Sequence, residues 1–345
     1  VTSHATAATA ARPEARSGAL GRVAGSPLAR LITRRVLVAI PLLLAISLLV
    51  FVLLELLPGD PAQVQAGMDA TPEEVEAVRR RLGLDRPAPE RYLSWLFGVL
   101  TGNLGVSSVQ QKPVTEILAT ALPPTIEIVA LAFIVSLVVA LPVALLAARK
   151  PGGFFDRTIM VISMALLAIP NYVLALLLVL IFAVAFRGML PSLGYVPISA
   201  GLWPNLRTVI LPVLALSIPL MAFYARFLRG DLVEQINSAD YVDTARAKGV
   251  GSWRILWQHA FRNSSFGLLT IVGLNIGGLI GGTVIIEQIF SIRGLGMEML
   301  QALGARDIAV VQICVFIFAA VAIAANLIVD VLYAVLDPRI RYGRN

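Results

Sequence analysis

Six stretches of this chain, at 36–57, 125–148, 158–186, 208–228, 266–289 and 308–336, are apolar for at least the roughly 20 residues that a helix needs to cross a bilayer. Hydrocarbon offers no water to a backbone N–H or C=O, so each such stretch must pair its own polar groups, and a helix does so within one segment. Hydrophobic residues make up 58% of the 345, against about 45–50% in soluble domains. The sequence predicts an all-α integral membrane protein with six transmembrane helices. Pro41, Pro142, Pro170, Pro212 and Pro219 fall inside the stretches, where neighbouring helices and local adjustment satisfy the carbonyls they free.

Basic residues orient the spans. Arg30, Arg34 and Arg35 precede the first, Arg149, Lys150 and Arg157 separate the second and third, and Arg339, Arg341 and Arg344 follow the sixth. The positive-inside rule puts these sides in the cytoplasm, with both termini. The expected organisation is a disordered cytoplasmic tail over 1–30, a first span over 31–57 and an external helical segment over 58–121. A five-helix membrane domain over 122–336, with a cytoplasmic loop at 229–263, and a cytoplasmic tail at 337–345 complete it. The net charge of +7 follows from this topology, since no basic stripe lies beside stacking aromatics, and no nucleic acid is expected as a partner. Residues 1–27 lack the apolar core of a secretory signal.

Between the fourth and fifth stretches lies a charged insert, Ser238 to Asn263, patterned as two short helices. Ser238 can cap the first, Asp240 suits its positive end, and Arg246 and Lys248 suit its negative end. Gly249 and Gly251 supply a left-handed stop, and Ser252 can cap a second helix. In that helix Trp253, Leu256, Trp257 and Ala260 form an apolar stripe. Two uses fit: docking a partner, or lying on the lipid interface. The external segment reads as a small helical cap. Thr71-Pro72-Glu73-Glu74 is a capping box with proline at the first helical position, a helix carrying Val75, Val78 and Leu82 ends at Gly83, and a second helix at 89–100 presents Tyr92, Trp95 and Leu96. It serves either as a lid or docking surface, with Tyr92 and Trp95 as contacts, or as packing over the span ends.

Several chemistries are excluded. The three lysines, Lys112, Lys150 and Lys248, complete no GxxxxGK[ST] loop, so the chain has no phosphate cradle of that kind. No GxSxG is present and neither histidine, His4 nor His259, lies in a span to activate a serine. No catalytic residue is expected. One cysteine, Cys314, permits no intrachain disulfide, and no metal site is expected. Ionisable residues in the spans, Glu55, Glu127, Glu287 and Asp330, sit near the ends, where solvated or paired roles compete with functional ones. Gly273, Gly277, Gly278, Gly281 and Gly282 give the fifth stretch a face of small residues, suited to close helix packing or to a path, with Asn275 beside it. Pro170-Asn171 is a candidate kink on the same path.

The insert resembles the coupling loop of permease subunits of type I ABC importers. Asp243-Thr244-Ala245, three residues, then Gly249 stands in the pattern E-A-A-x-x-x-G, and His259-Ala260-Phe261-Arg262-Asn263 closes it. These variations are similar to the dipeptide/oligopeptide branch, first-permease type, as are 33–41, Leu57-Pro58-Gly59-Asp60-Pro61, Gly102-Asn103-Leu104-Gly105, 284–290 followed by Gly294-Leu295-Gly296, and the ending 326–341. The resemblance implies one permease of a bacterial inner-membrane importer of dipeptides or oligopeptides, working beside a second homologous permease. One or two P-loop ATPase subunits would hold ATP and magnesium, and an extracytoplasmic binding protein would deliver the peptide. Asp240, Asp243, Thr244, Ala245, Arg246, Gly249 and His259 would form the ATPase-coupling contact, and Pro170, Asn171, Asn275, Gly277, Gly278 and Gly281 the translocation path. The alternative is an ion-coupled secondary transporter.

Overall fold

The computed structural model describes residues 27–336 apart from Met68, so the expected C-terminal tail and nearly all of the expected N-terminal tail lie outside the described residues. The described residues form helices and short connections. α1 is Pro27–Leu56, α2 Pro61–Ala66, α3 Pro72–Arg81 and α4 Ala88–Thr101. α5 is Val114–Arg149, and α6 (Phe154–Ala168) and α7 (Asn171–Ala185) follow as a bent pair. α8 is Leu202–Ser238, α9 Asp240–Ala247, α10 Ser252–Ile289, α11 Leu295–Gly304 and α12 Ile308–Leu336.

Five helices, α1, α5, α8, α10 and α12, are long and apolar enough to cross a membrane, and α6 with α7 makes six if the pair is one span. The stretch expected as a single third span is instead two helices meeting at 95°. Pro170 causes the break: it lacks an N–H and drives Ile169 out of the helical region, to φ −91° and ψ 118°. Asn171 then starts α7, with Val173 and Leu174 N–H groups returning to the Pro170 carbonyl.

Hydropathy misplaces several helix ends. α5 begins eleven residues before its expected start and carries Pro123 and Pro124 within it, so the boundary expected at 122 falls mid-helix. α8 and α10 have 37 and 38 residues, about 55 Å each at 1.5 Å per residue, against a hydrocarbon layer of about 30 Å. Ser238 belongs to α8, and the residue before α9 is Ala239, which makes no side-chain cap; the first expected cap is therefore absent. Ser252 is likewise the first residue inside α10, preceded by Gly251. α10 runs unbroken from the insert into the fifth apolar stretch, through a π turn at Ile255–Ala260.

The core is built on the α5–α8 contact. Ala132, Ser136, Ala140, Ala144 and Ala148 recur every fourth residue on α5 and are all buried. Four-residue spacing puts them in one line, and side chains this small let another backbone come close. Tyr224, Leu228 and Leu232 of α8 fill that groove, joined by Leu256, Leu268 and Val272 of α10. Towards the other end Ile128 and Ala132 meet Val209, Leu216, Leu279 and Ile286. α1 stands outside this core, with only Ser47 and Phe51 buried among its described residues, and packs on α12. Arg35 and Asp330 join the two through bonds of 2.9 and 2.8 Å.

Ala144→Leu inserts a branched side chain where exposure is 0%, and overpacking of this kind costs about 1–3 kcal/mol. The expected result is a lower unfolding temperature in detergent for Ala144→Leu and none for Leu146→Ala, whose side chain is exposed.

Candidate functional site

α8 ends where Ala239 turns extended, and the Val242 N–H bonds the Ala239 carbonyl at 2.8 Å to open α9. Two turns later Gly249 takes φ +74°, a conformation glycine reaches without steric cost. Gly249 and Val250 N–H groups close the helix onto the Arg246 and Ala245 carbonyls, at 2.9 and 3.1 Å. The chain then enters α10, so α9 and the first turns of α10 form an elbow. Val242, Ala245 and Ile255 pack inside it, with Tyr241 and Val250 at the edge. Arg246 bonds Asp243 at 3.0 Å and reaches back to the Ile236 carbonyl at 3.1 Å, fixing the elbow to the end of α8.

The residues expected to couple to an ATPase divide in two. Asp240, Asp243, Thr244, Arg246, Gly249 and His259 are exposed. Ala245 is buried against Val242 and Ile255, so its small side chain closes the elbow and is not presented to a partner. The expected stripe on the second helix also divides: Leu256 and Ala260 are buried, whereas Trp253 and Trp257 are exposed. The wider π turn rotates the register within this run, and Trp257 stacks on Phe261 with centroids 5.1 Å apart.

A second cluster lies along the middle of α10. A side chain added at Gly273 would strike Val329 at 2.9 Å, and one at Gly282 would lie 3.1 Å from the Asn171 amide and 3.4 Å from Leu216. These two glycines are packing positions within the chain. Gly277, Gly278 and Gly281 face open space, and with Leu274 and Ile285, also exposed, they make an uncovered face. The Pro170–Asn171 break therefore sits on α10 at Gly282. Asn275 is satisfied locally, bonding the Ile271 carbonyl at 2.8 Å.

Two ionic arrangements escaped the sequence reading. Asp156, at the start of α6, receives Arg229 of α8 through two bonds of 2.7 and 2.6 Å and the Gly152 N–H at 2.8 Å. Nothing local in the sequence links these residues, which are 73 apart. At the opposite end Glu287 is fully buried, unlike a solvated end residue. It accepts Thr125 at 2.6 Å and the Met297 N–H at 2.9 Å, while Leu295 N–H bonds the Thr125 hydroxyl at 2.8 Å. One carboxylate thus pins α5, α10 and the N-terminus of α11, where it also suits the helix dipole. Gly294 and Gly296 leave room for it. Glu127 accepts Tyr195 at 2.6 Å; burial, reinforced by that bond, raises the Tyr195 hydroxyl well above the usual phenol range.

Tyr92 and Trp95, expected on a docking surface, are half-buried and turn inward. The Tyr92 hydroxyl meets Ser47 at 2.9 Å, and the rings continue from Phe51 through Tyr92 and Trp95 to Phe316. They anchor α4 to α1 and α12. The capping box of α3 is present as expected, with Thr71 N–H to Glu74 at 2.8 Å.

Gly296→Ala would set its Cβ 2.6 Å from the Val284 backbone, which cannot yield as a side-chain tip can. Loss of thermal stability by about 1–3 kcal/mol is expected, with faster proteolysis around α11, while Gly304→Ala, which meets nothing, leaves both unchanged.

Among the described residues no group of His, Cys, Asp and Glu could hold a metal ion. Residues 140–342 match the family described as binding-protein-dependent transport system inner membrane component, and residues 28–129 match its N-terminal companion. A Brucella abortus protein bearing the provisional name of peptide transport system permease is 40% identical over 312 residues, 90% of this chain and 99% of its own. A Sinorhizobium fredii protein named as a probable peptide ABC transporter permease is 37% identical, covering 90% and 99%. A glutathione transport system permease of Pectobacterium atrosepticum is 37% identical, covering 90% and 98%. With an all-helical fold and helices long enough to cross a membrane, this chain belongs to the binding-protein-dependent transport system inner membrane component family, the permeases of ABC importers.

Proposed function

We propose that this chain is one of two homologous permeases in an ATP-driven importer of dipeptides or oligopeptides in the bacterial inner membrane. The elbow carries the proposal. It is exposed, it is built on two helices that each exceed the bilayer by about 25 Å, and its bend is set by Gly249 at φ +74°. Such a projection fits a cleft on a cytoplasmic ATPase subunit, which would hold the ATP and magnesium for which this chain has no P-loop. Asp240, Asp243, Thr244, Arg246, Gly249 and His259 form the coupling surface, and Ala245 supports it from within.

Sidedness rests on charge. Arg34 and Arg35, Arg149 and Lys150, Arg157, Arg246, Lys248 and Arg262 gather at the elbow end of the bundle, which the positive-inside rule assigns to the cytoplasm. Six spans follow if α6 and α7 cross together, with both termini cytoplasmic and α2–α4 outside. An extracytoplasmic binding protein then delivers peptide to that side. The uncovered α10 face, Leu274 to Ile285 with Gly277, Gly278 and Gly281, lines the path with Pro170 and Asn171 or meets the second permease. The names of the relatives favour a peptide as cargo.

Purification of the tagged chain from native membranes tests the reading: a second permease and P-loop ATPases should accompany it, with ATPase activity stimulated by loaded binding protein. Recovery of the chain alone, with uptake that collapses with an ion gradient, would establish a secondary transporter instead. Gly249→Val puts a β-branched residue in a left-handed position, at a cost of about 1–2 kcal/mol. The complex should still assemble, while coupled uptake falls about tenfold or more; full uptake would remove Gly249 from the coupling contact.

A further inference from the structure

The two longer helices of the α2–α4 cap present opposite kinds of surface. α3 exposes Glu73, Glu74, Glu76, Arg80 and Arg81. α4 exposes Leu93, Phe97 and Leu100, at 62%, 68% and 78%. Their spacing of four and three residues puts them in one stripe, and no residue from Leu93 to Leu100 carries a charge. The charged residues of α4, Glu90 and Arg91, are both at its start. A contiguous stripe of large apolar side chains marks a contact with something equally apolar.

The depth of α4 identifies that neighbour. Its opposite face is seated on two spans well inside their ends. The Tyr92 hydroxyl meets Ser47 at 2.9 Å and the Leu44 carbonyl at 3.3 Å, and its ring centroid lies 5.5 Å from that of Phe51. Phe51 and Ser47 stand five and nine residues before the end of α1 at Leu56, about 8 and 14 Å along the helix. Trp95 meets the Phe316 ring at 5.9 Å, and Phe316 is eight residues, or about 12 Å, inside the start of α12 at Ile308. Both spans therefore hold α4 at the same level, within their apolar stretches. At that level Leu49, Val52, Leu53 and Leu56 of α1 are exposed too, so the lipid that covers α1 runs on to α4. The charged start agrees: Arg91 reaches Glu55 at 2.5 Å, close to the end of α1, and its head group stays at the edge of the apolar layer.

We propose that α4 lies in the bilayer, among the acyl chains of the leaflet at the Leu56 end of α1, with Leu93, Phe97 and Leu100 immersed and α3 above it in water. Amphipathic helices hold to a membrane by burying one apolar face in this way. The cap then straddles the boundary between hydrocarbon and water. The charges of α3 stay solvated, and the row of rings Phe51, Tyr92, Trp95 and Phe316 fastens α4 sideways to two spans. A partner working from the water reaches α3 but not the stripe on α4. This placement needs only that α1 and α12 cross the membrane, whatever cargo the protein carries.

The test uses the full chain, with the subunits that accompany it, in nanodiscs, which leave both faces open to reagents. The parent chain, whose single thiol Cys314 is buried, gives the blank. A sulfonated maleimide should label Phe97→Cys about tenfold or more slower than Glu73→Cys on α3, because a charged reagent does not enter hydrocarbon and a thiol there does not ionise. Bimane on the Phe97→Cys thiol should be quenched by phosphatidylcholine carrying a nitroxide on its acyl chain, and not by iodide. Leu100→Cys, on the same stripe, should behave as Phe97→Cys does, so that the result does not turn on one variant. Labelling as fast as at Glu73→Cys, or quenching by iodide, would put the stripe in water. No quenching by the nitroxide lipid would put protein over it, and each of these outcomes overturns the proposal.

Discussion

The line of small residues on α5 is the feature on which the rest of the molecule depends. In lipid, apolar side chains gain nothing by leaving one hydrocarbon for another, so helices associate through close packing and a few polar contacts. Ala132, Ser136, Ala140, Ala144 and Ala148 bring α8 against α5 along most of its length. α10 and α7 are then seated on α8, and α1 and α12 are added at the side. Remove the close approach and α10 loses the surface that orients both its elbow end and its glycine face.

How far this was legible from the sequence differs by level. That the chain would be helical and would cross a membrane followed from apolar length alone. Helix ends did not follow, because hydropathy records where lipid lies and not where the backbone stops being helical; α5 begins at Val114, well before the apolar stretch at 125–148, with Pro123 and Pro124 inside it. The break at Pro170 was legible as a kink, but its 95° angle was not, since the angle is set by what α6 and α7 pack against. Gly249 was legible because its φ requires the residue type. Ser238 was misread because a good cap residue is overridden where α8 still gains packing from one more turn.

The polar contacts were the least legible part. Thr125 and Glu287 are 162 residues apart, and Asp156 and Arg229 are 73 apart. Neither pairing has a local signal. Each appears only when the fold brings a buried charge next to the group that satisfies it, and burial makes the partner obligatory. The two lie at opposite ends of the bundle: Asp156–Arg229 ties α6 to α8 near the elbow, and Glu287 ties α10 to α5 and α11 at the far end.

This placement gives α10 a mechanical character. One 38-residue helix contains the π turn inside the elbow, the glycine face in its middle and Glu287 near its end. A helix resists bending except at defined weak points, and here the π turn at Ile255–Ala260 is one such point. Beyond it, Gly277, Gly278 and Gly281 remove the side chains that would hold the middle of α10 against a neighbour. The elbow end, the glycine face and the Glu287 contacts therefore belong to one continuous helix, and how α10 lies against α8 sets where all three stand. The break at Pro170 is seated on this same helix, with the Asn171 amide against Gly282, so the bent pair takes its place from α10 as well as from α8.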